Sequence, residues 1–208
     1  MTYAMPTITR CLIFACNAVA LMAQQGPPPN PGSGGGPAIL TTTPPYTPPT
    51  HAERFQNYIH RTFGPDTIFE AAAWAAVDQA EHSPKKWPEG AKGYAERFGS
   101  VMGFEAVRGT AQYALGEAFR EDLRYVYCTG CSASGKIKAA FLNTFGARRG
   151  ADGHEDLSAT RLLAPIPGGI VASTWLPGKY DPRNIPTAVC FTYAFDLGKN
   201  LILELVRK

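Results

Sequence analysis

The sequence predicts a mostly α-helical, compact multi-helix domain behind a disordered Pro/Gly-rich N-terminal segment. Apolar residues recur at three- and four-residue steps within residues 51–208. Thr50-His-Ala-Glu53 has the form of a capping box, in which hydroxyl and carboxylate each satisfy an end amide of a helix. Between Gly26 and Thr50 lie five glycines, nine prolines and no charge, so ordering that stretch costs entropy and buries little.

The elements follow in order. Arg10 is the only charged residue before His51, and it precedes the apolar run from Cys11 to Ala23. A basic residue, a short apolar core and small residues near its end make a secretory signal over residues 1–23, with Ala18-Val19-Ala20 and Ala23 as candidate cleavage sites. Ile13-Phe14-Ala15-Cys16 is a poor lipoprotein box because the apolar core before it is very short. Residues 24–50 form a linker of extended prolines with a flexible joint at Gly34-Gly35-Gly36. The domain, 51–208, opens with a helix over about 51–62. Pro65 starts a second helix, which ends near His82-Ser83-Pro84.

The longest helix runs from about Ala91 to Phe119. One face carries Val101, Phe104, Val107, Ala111, Leu115 and Ala118, and another carries Gly99, Gly103, Ala106, Thr110 and Ala114. Gly99 and Gly103 are expected where another helix backbone comes close. Arg124 to Cys128 reads as a short strand or an extended strap, Lys136 to Ala147 as helix, and Arg148 to Asp156 as a polar turn. Ser158 begins a helical segment interrupted at Pro165 and Pro167. The last helix opens at Asn184-Ile-Pro186 with a stripe of Val189, Tyr193, Leu197, Leu201 and Leu205; Asp196 and Lys199 can pair on its other side. Few or no strands are expected.

Composition limits the function. The formal net charge of +3 is small and scattered, unlike the clustered cations of a nucleic-acid footprint. Of five cysteines, Cys11 and Cys16 fall in the signal, which leaves Cys128, Cys131 and Cys190. In an exported chain a local Cys128–Cys131 disulfide is the plainest reading, with Cys190 pairing to either as the alternative.

Four blocks carry a resemblance: Tyr58-Ile-His-Arg-Thr-Phe-Gly-Pro65, Trp87-Pro-Glu-Gly-Ala-Lys-Gly-Tyr-Ala-Glu-Arg-Phe98, Glu121-Asp-Leu-Arg-Tyr125 and Ser173-Thr-Trp-Leu-Pro177. In this order they resemble the Phe-Gly-Pro, Gly-Tyr-Gly-x-Arg-Phe, Glu-Asp-Pro-Arg-Tyr and Ser-x-Thr-Trp-Tyr-Pro blocks of a family of exported bacterial proteins of unassigned function. The chain departs from the pattern at Ala95, at Leu123 and in its ending, Leu203 to Lys208, as a divergent member would. The resemblance implies export and a compact helical domain, and no activity.

The candidate chemistry is thin. Gly130-Cys-Ser-Ala-Ser-Gly-Lys136 has the spacing of a phosphate-binding loop, but Ile137 stands where the magnesium ligand belongs and no β-α-β run surrounds it. A Gly/Ser-rich turn feeding a helix is the better reading, so no nucleotide and no other cofactor is expected. Cys128-Thr-Gly-Cys131 lacks the second pair or nearby histidine of a zinc site. Asp152-Gly-His154-Glu155-Asp156 reads as a solvated loop before it reads as a metal site. Arg97, Glu121, Asp122 and His154 are the candidate catalytic groups; against them stands a network of ion pairs and caps that ties helices together. Two functions follow. One is a non-catalytic exported envelope protein packing against a membrane or protein partner, without nucleic acid. The other is a small extracytoplasmic enzyme, a hydrolase.

Overall fold

A computed structural model of the chain describes residues 46–176 and 185–206. The expected export signal, 1–23, and the expected linker up to residue 45 lie outside the described residues. The chain divides into two units, 1–46 and 47–208, and the second carries every element below.

The domain is mostly α. Helix α1 (His51–Phe63) starts at the capping box: Thr50 Oγ1 accepts from the Glu53 amide at 3.3 Å, and Glu53 accepts from the Thr50 amide at 2.7 Å. Gly64 stops it and Pro65 occupies the first turn of α2 (Pro65–Ala80), where a missing amide hydrogen costs nothing. A loop with a cis Ser83–Pro84 bond leads to α3 (Gly90–Phe119), which ends in a left-handed Arg120. An extended strap, the turn closed by Cys128 and Cys131, and a Ser132 cap lead into α4 (Ala133–Phe145). Strands β1 (Gly146–Arg149) and β2 (His154–Leu157) pair antiparallel, with Gly146 opposite Leu157. Helices α5 (Ala159–Leu163), α6 (Pro165–Ala172) and α7 (Ile185–Val206) complete the domain. Helix α3 is the spine: α1, α2, α5 and α6 pack on it, while α7 packs on α4 and α6.

Several expectations are corrected. The fourth helix begins three residues earlier than Lys136, because Ser132 caps it, and stops at Phe145, because Gly146 and Ala147 enter a strand. Residues 148–156 are part of a hairpin and not only a turn. Arg124 to Cys128 is a strap: the Asn143 side chain stands in for a neighbouring strand, accepting from the Val126 amide at 2.9 Å and donating to its carbonyl at 2.8 Å. The linker's last residues are held: Arg54 Nε donates to the Pro49 carbonyl and Arg124 Nη2 to that of Thr47.

The glycine expectation on α3 fails at Gly99, where an added Cβ meets nothing within 4 Å. At Gly103 it is corrected: the neighbour is the ring of Trp175, 3.1 Å from such a Cβ, and not a helix backbone. Close approach occurs elsewhere. Gly109 leaves room for Thr62 of α1, and Gly168 of α6 lies against Phe104 of α3, with Phe104 Cε2 2.9 Å from an added Cβ.

The core has an unusual composition. Among the described residues its fully buried apolar side chains are mostly alanines, while the largest fully buried side chains include Arg97, Glu121 and Glu204. Helix α7 shows how this arises. Its polar row Asp196, Asn200 and Glu204 points inward at four-residue spacing: Asp196 accepts from Arg108, Asn200 Nδ2 donates to Thr144 Oγ1 at 2.8 Å, and Glu204 accepts from the Cys128 amide at 3.3 Å. Val189, Tyr193, Leu197 and Leu201 are half-buried beside it, and Leu205 is exposed.

Candidate functional site

The four catalytic candidates separate into different jobs. Arg97, on α3, is fully buried. It donates to the Ser83 carbonyl at 2.6 Å, to Gln79 Oε1 at 2.6 Å and to the Pro88 carbonyl at 3.0 Å. It thereby closes the loop between α2 and α3. Glu121 caps α5, accepting from Ser158 Oγ, from the amides of Ala159 and Thr160, and from Arg149. Burial pushes its carboxyl pKa up, but the donors of Ser158, Arg149 and Thr160 outweigh that and leave it below the usual carboxylate range. Asp122 is likewise buried and held low, here by Arg124 and Arg148. Its backbone bridges Arg148 and so fixes the strap to the hairpin. His154 is exposed in the hairpin, with Nδ1 2.9 Å from Asp152 Oδ1. Among the described residues no hydrogen bond or ion pair joins Arg97, Glu121 and His154.

Cys128 and Cys131 are joined in a disulfide, with Cα atoms 5.7 Å apart, and Cys190 is half-buried on α7 outside that pair. Gly130, at φ 73°, turns the chain between them, and the Ser132 hydroxyl accepts from the Gly135 amide to start α4. No strand leads into this turn, so the phosphate-loop spacing is a cap and a turn. No group of three or more His, Cys, Asp or Glu among the described residues is arranged to hold a metal.

Two features that single residues did not announce dominate the domain. The first is a polar cavity of about 80 Å³ between α1, α2, α3, α4, α5 and α7. Its charged lining is Arg61, Arg108, Arg161 and Lys199 against Glu70, Glu105 and Asp196. Arg108 pairs with Asp196 and Glu105, and Lys199 Nζ lies 3.1 Å from Glu70 Oε2. Burial raises the Glu105 carboxyl, and Arg108 partly offsets it. Arg61 and Arg161 instead donate to one carbonyl, that of Leu123, at 2.8 and 3.0 Å, and Arg161 also to that of Asn143. The sequence carried a trace of this interior in the row Asp196, Asn200 and Glu204 on an otherwise apolar helix.

The second feature is an apolar outer face along α2 and α7. Trp74 packs edge-on to Phe191 and Phe195, with centroids 5.7 and 5.1 Å away. Phe191 and Ile202 are 60 and 63 % exposed, and Val206 at the helix end 75 %. Phe191, Phe195 and Ile202 recur near whole turns, so they form a ribbon about 16 Å long at ~1.5 Å per residue. No helix among the described residues is long and apolar enough to cross a membrane. No protein family, no curated protein and no solved structure matches the chain.

Proposed function

We propose that this is a non-catalytic protein of the cell envelope, exported by its N-terminal signal, whose α2–α7 face packs against a membrane surface or a protein partner. One observation carries the reading: α7 turns Asp196, Asn200 and Glu204 inward and leaves Phe191, Ile202 and Val206 in water. An ordinary surface helix does the reverse. Contiguous exposed apolar side chains mark a surface that another body covers. That Arg97 and Glu121, two of the four catalytic candidates, are occupied by a loop and a helix end supports the non-catalytic reading.

The test is fractionation of the native host, with salt and detergent washes, for the wild type and for Phe191→Ser/Ile202→Ser. The wild type stays with the envelope through salt and leaves with detergent; the variant, equally stable, appears in the soluble fraction. Vesicle flotation of the purified protein then separates a lipid partner from a protein one. A wild type that is soluble without detergent, or a variant that partitions like it, sinks the proposal.

A further inference from the structure

We propose that the interior cavity binds a small oxyanion, a phosphate or carboxylate group, held between the guanidinium groups of Arg61 and Arg161. This stands independently of the docking face. Four observations converge on it.

First, the two guanidinium groups donate to the same carbonyl oxygen, that of Leu123, so two like charges are held side by side. Second, no carboxylate of the described residues lies within 4.0 Å of either; the ion pairs of the cavity use Glu70, Glu105 and Asp196 on Lys199 and Arg108. The lining therefore carries a surplus of positive charge at one end. Third, Arg161 is more than nine-tenths buried, and its buried Nε has no acceptor. A buried donor left without an acceptor is costly, more so when it is charged. Fourth, burial and the neighbouring Arg61 push the Arg161 pKa down to about 9, a sign that its charge is poorly compensated. An oxyanion supplies the missing countercharge and acceptors. Guanidinium forks match planar or tetrahedral oxyanions with paired hydrogen bonds.

Size and access set the class. A space of about 80 Å³ admits one small group and not a nucleotide or sugar chain. Arg61 is exposed on α1 while Arg161 is buried on α5, so one cation stands at the mouth and the other inside. Thr62 and Gln112 also line the cavity and offer neutral hydrogen bonds.

The experiment is calorimetric titration of the full chain near neutral pH with inorganic phosphate and, separately, with acetate, at ionic strength fixed by sodium chloride, with melting curves in parallel. Binding of phosphate, acetate or both above the chloride background is expected; phosphate alone names a phosphoryl group, and acetate as well extends it to carboxylates. Arg61→Gln lowers affinity about tenfold or more by removing one fork, and its melting curve in chloride shows that it is folded. Lys85→Gln/Lys86→Gln, on the surface loop, keeps full affinity. Arg161→Gln is read only if it folds. Equal response to chloride and phosphate, no heat with either anion, or an Arg61→Gln affinity equal to the wild type overturns the proposal.

Discussion

Arg97 and Arg161 both take a guanidinium out of water, and they do so to different ends. Arg97 meets three acceptors, on Gln79, Ser83 and Pro88, with Glu89 3.9 Å beyond. Arg161 meets two carbonyls, shares one with Arg61 and opens on a cavity. Each keeps one buried guanidinium nitrogen without an acceptor, Nη2 of Arg97 and Nε of Arg161, but among the described residues Arg97 has a carboxylate within 4.0 Å and Arg161 has none. Burial of a charge is thus no sign of function by itself; what matters is whether the fold supplies the groups that a buried charge requires.

The sharpest way to break this comparison is to remove each cation. Arg97→Met leaves acceptors on two helices' worth of loop without a donor and is expected to cost about 3–5 kcal/mol, read as a lowered urea midpoint. Arg161→Met strands fewer acceptors and relieves repulsion with Arg61, so it is expected to cost about 1–2 kcal/mol. If the two variants lose equal stability, Arg161 is as well held as Arg97 and the distinction fails.

Acid sharpens it next. Glu121 and Asp122 have folded-state pKa values below their ordinary ones, so their stabilisation is present above pH ~4 and is lost as pH falls through the folded values. Glu105, whose pKa burial raises, acts in the opposite sense: its protonation as pH falls favours the folded state. The saturated carboxylates should dominate, giving a net loss of stability below pH ~4. Glu121→Gln is expected to cost about 1.5–3 kcal/mol at neutral pH by weakening four hydrogen bonds, and to flatten the acid limb of stability against pH. An unchanged acid limb would place the acid sensitivity on other carboxylates.

How much of this was legible in the sequence differs from element to element. The capping box at Thr50 and Glu53, Pro65 at a first turn and the 30-residue α3 are local signals, set by caps and spacing, and they stand in the structure where the sequence places them. The hairpin at Gly146–Leu157 was not legible, because its two strands are four residues each and polar, and Arg148 pairs with Asp122 far back in the chain. The cavity was hidden for a related reason. A row such as Asp196, Asn200 and Glu204 normally faces water; only Arg108, Thr144 and the strap amide of Cys128, each distant in sequence, turn it inward. Arg97, Glu121, Asp122 and His154 each have hydrogen-bond or ion-pair partners, whereas Arg61 and Arg161, with carbonyl acceptors and no carboxylate within 4.0 Å among the described residues, carry no local signal in the sequence.

The smallest effect tests the same contrast with the least chemistry. Gly93 and Gly99 lie on α3, less than two turns apart, one turn before and just after Arg97. At Gly93 an added Cβ overlaps the Pro88 carbonyl oxygen and comes within 2.6 Å of Arg97 Nη1, so alanine there forces apart the groups that close the loop. At Gly99 the same methyl meets nothing within 4 Å. Glycine in a helix costs ~0.5–1 kcal/mol against alanine through backbone entropy. Gly99→Ala should therefore stabilise by about that amount, while Gly93→Ala should destabilise by about 1–3 kcal/mol because packing outweighs the entropy gain. Opposite signs in the melting temperatures confirm that the Arg97 site is closed by direct contact at Gly93. A stabilising Gly93→Ala would mean that the loop yields freely, and the closure attributed to Arg97 would have to come from elsewhere on the helix.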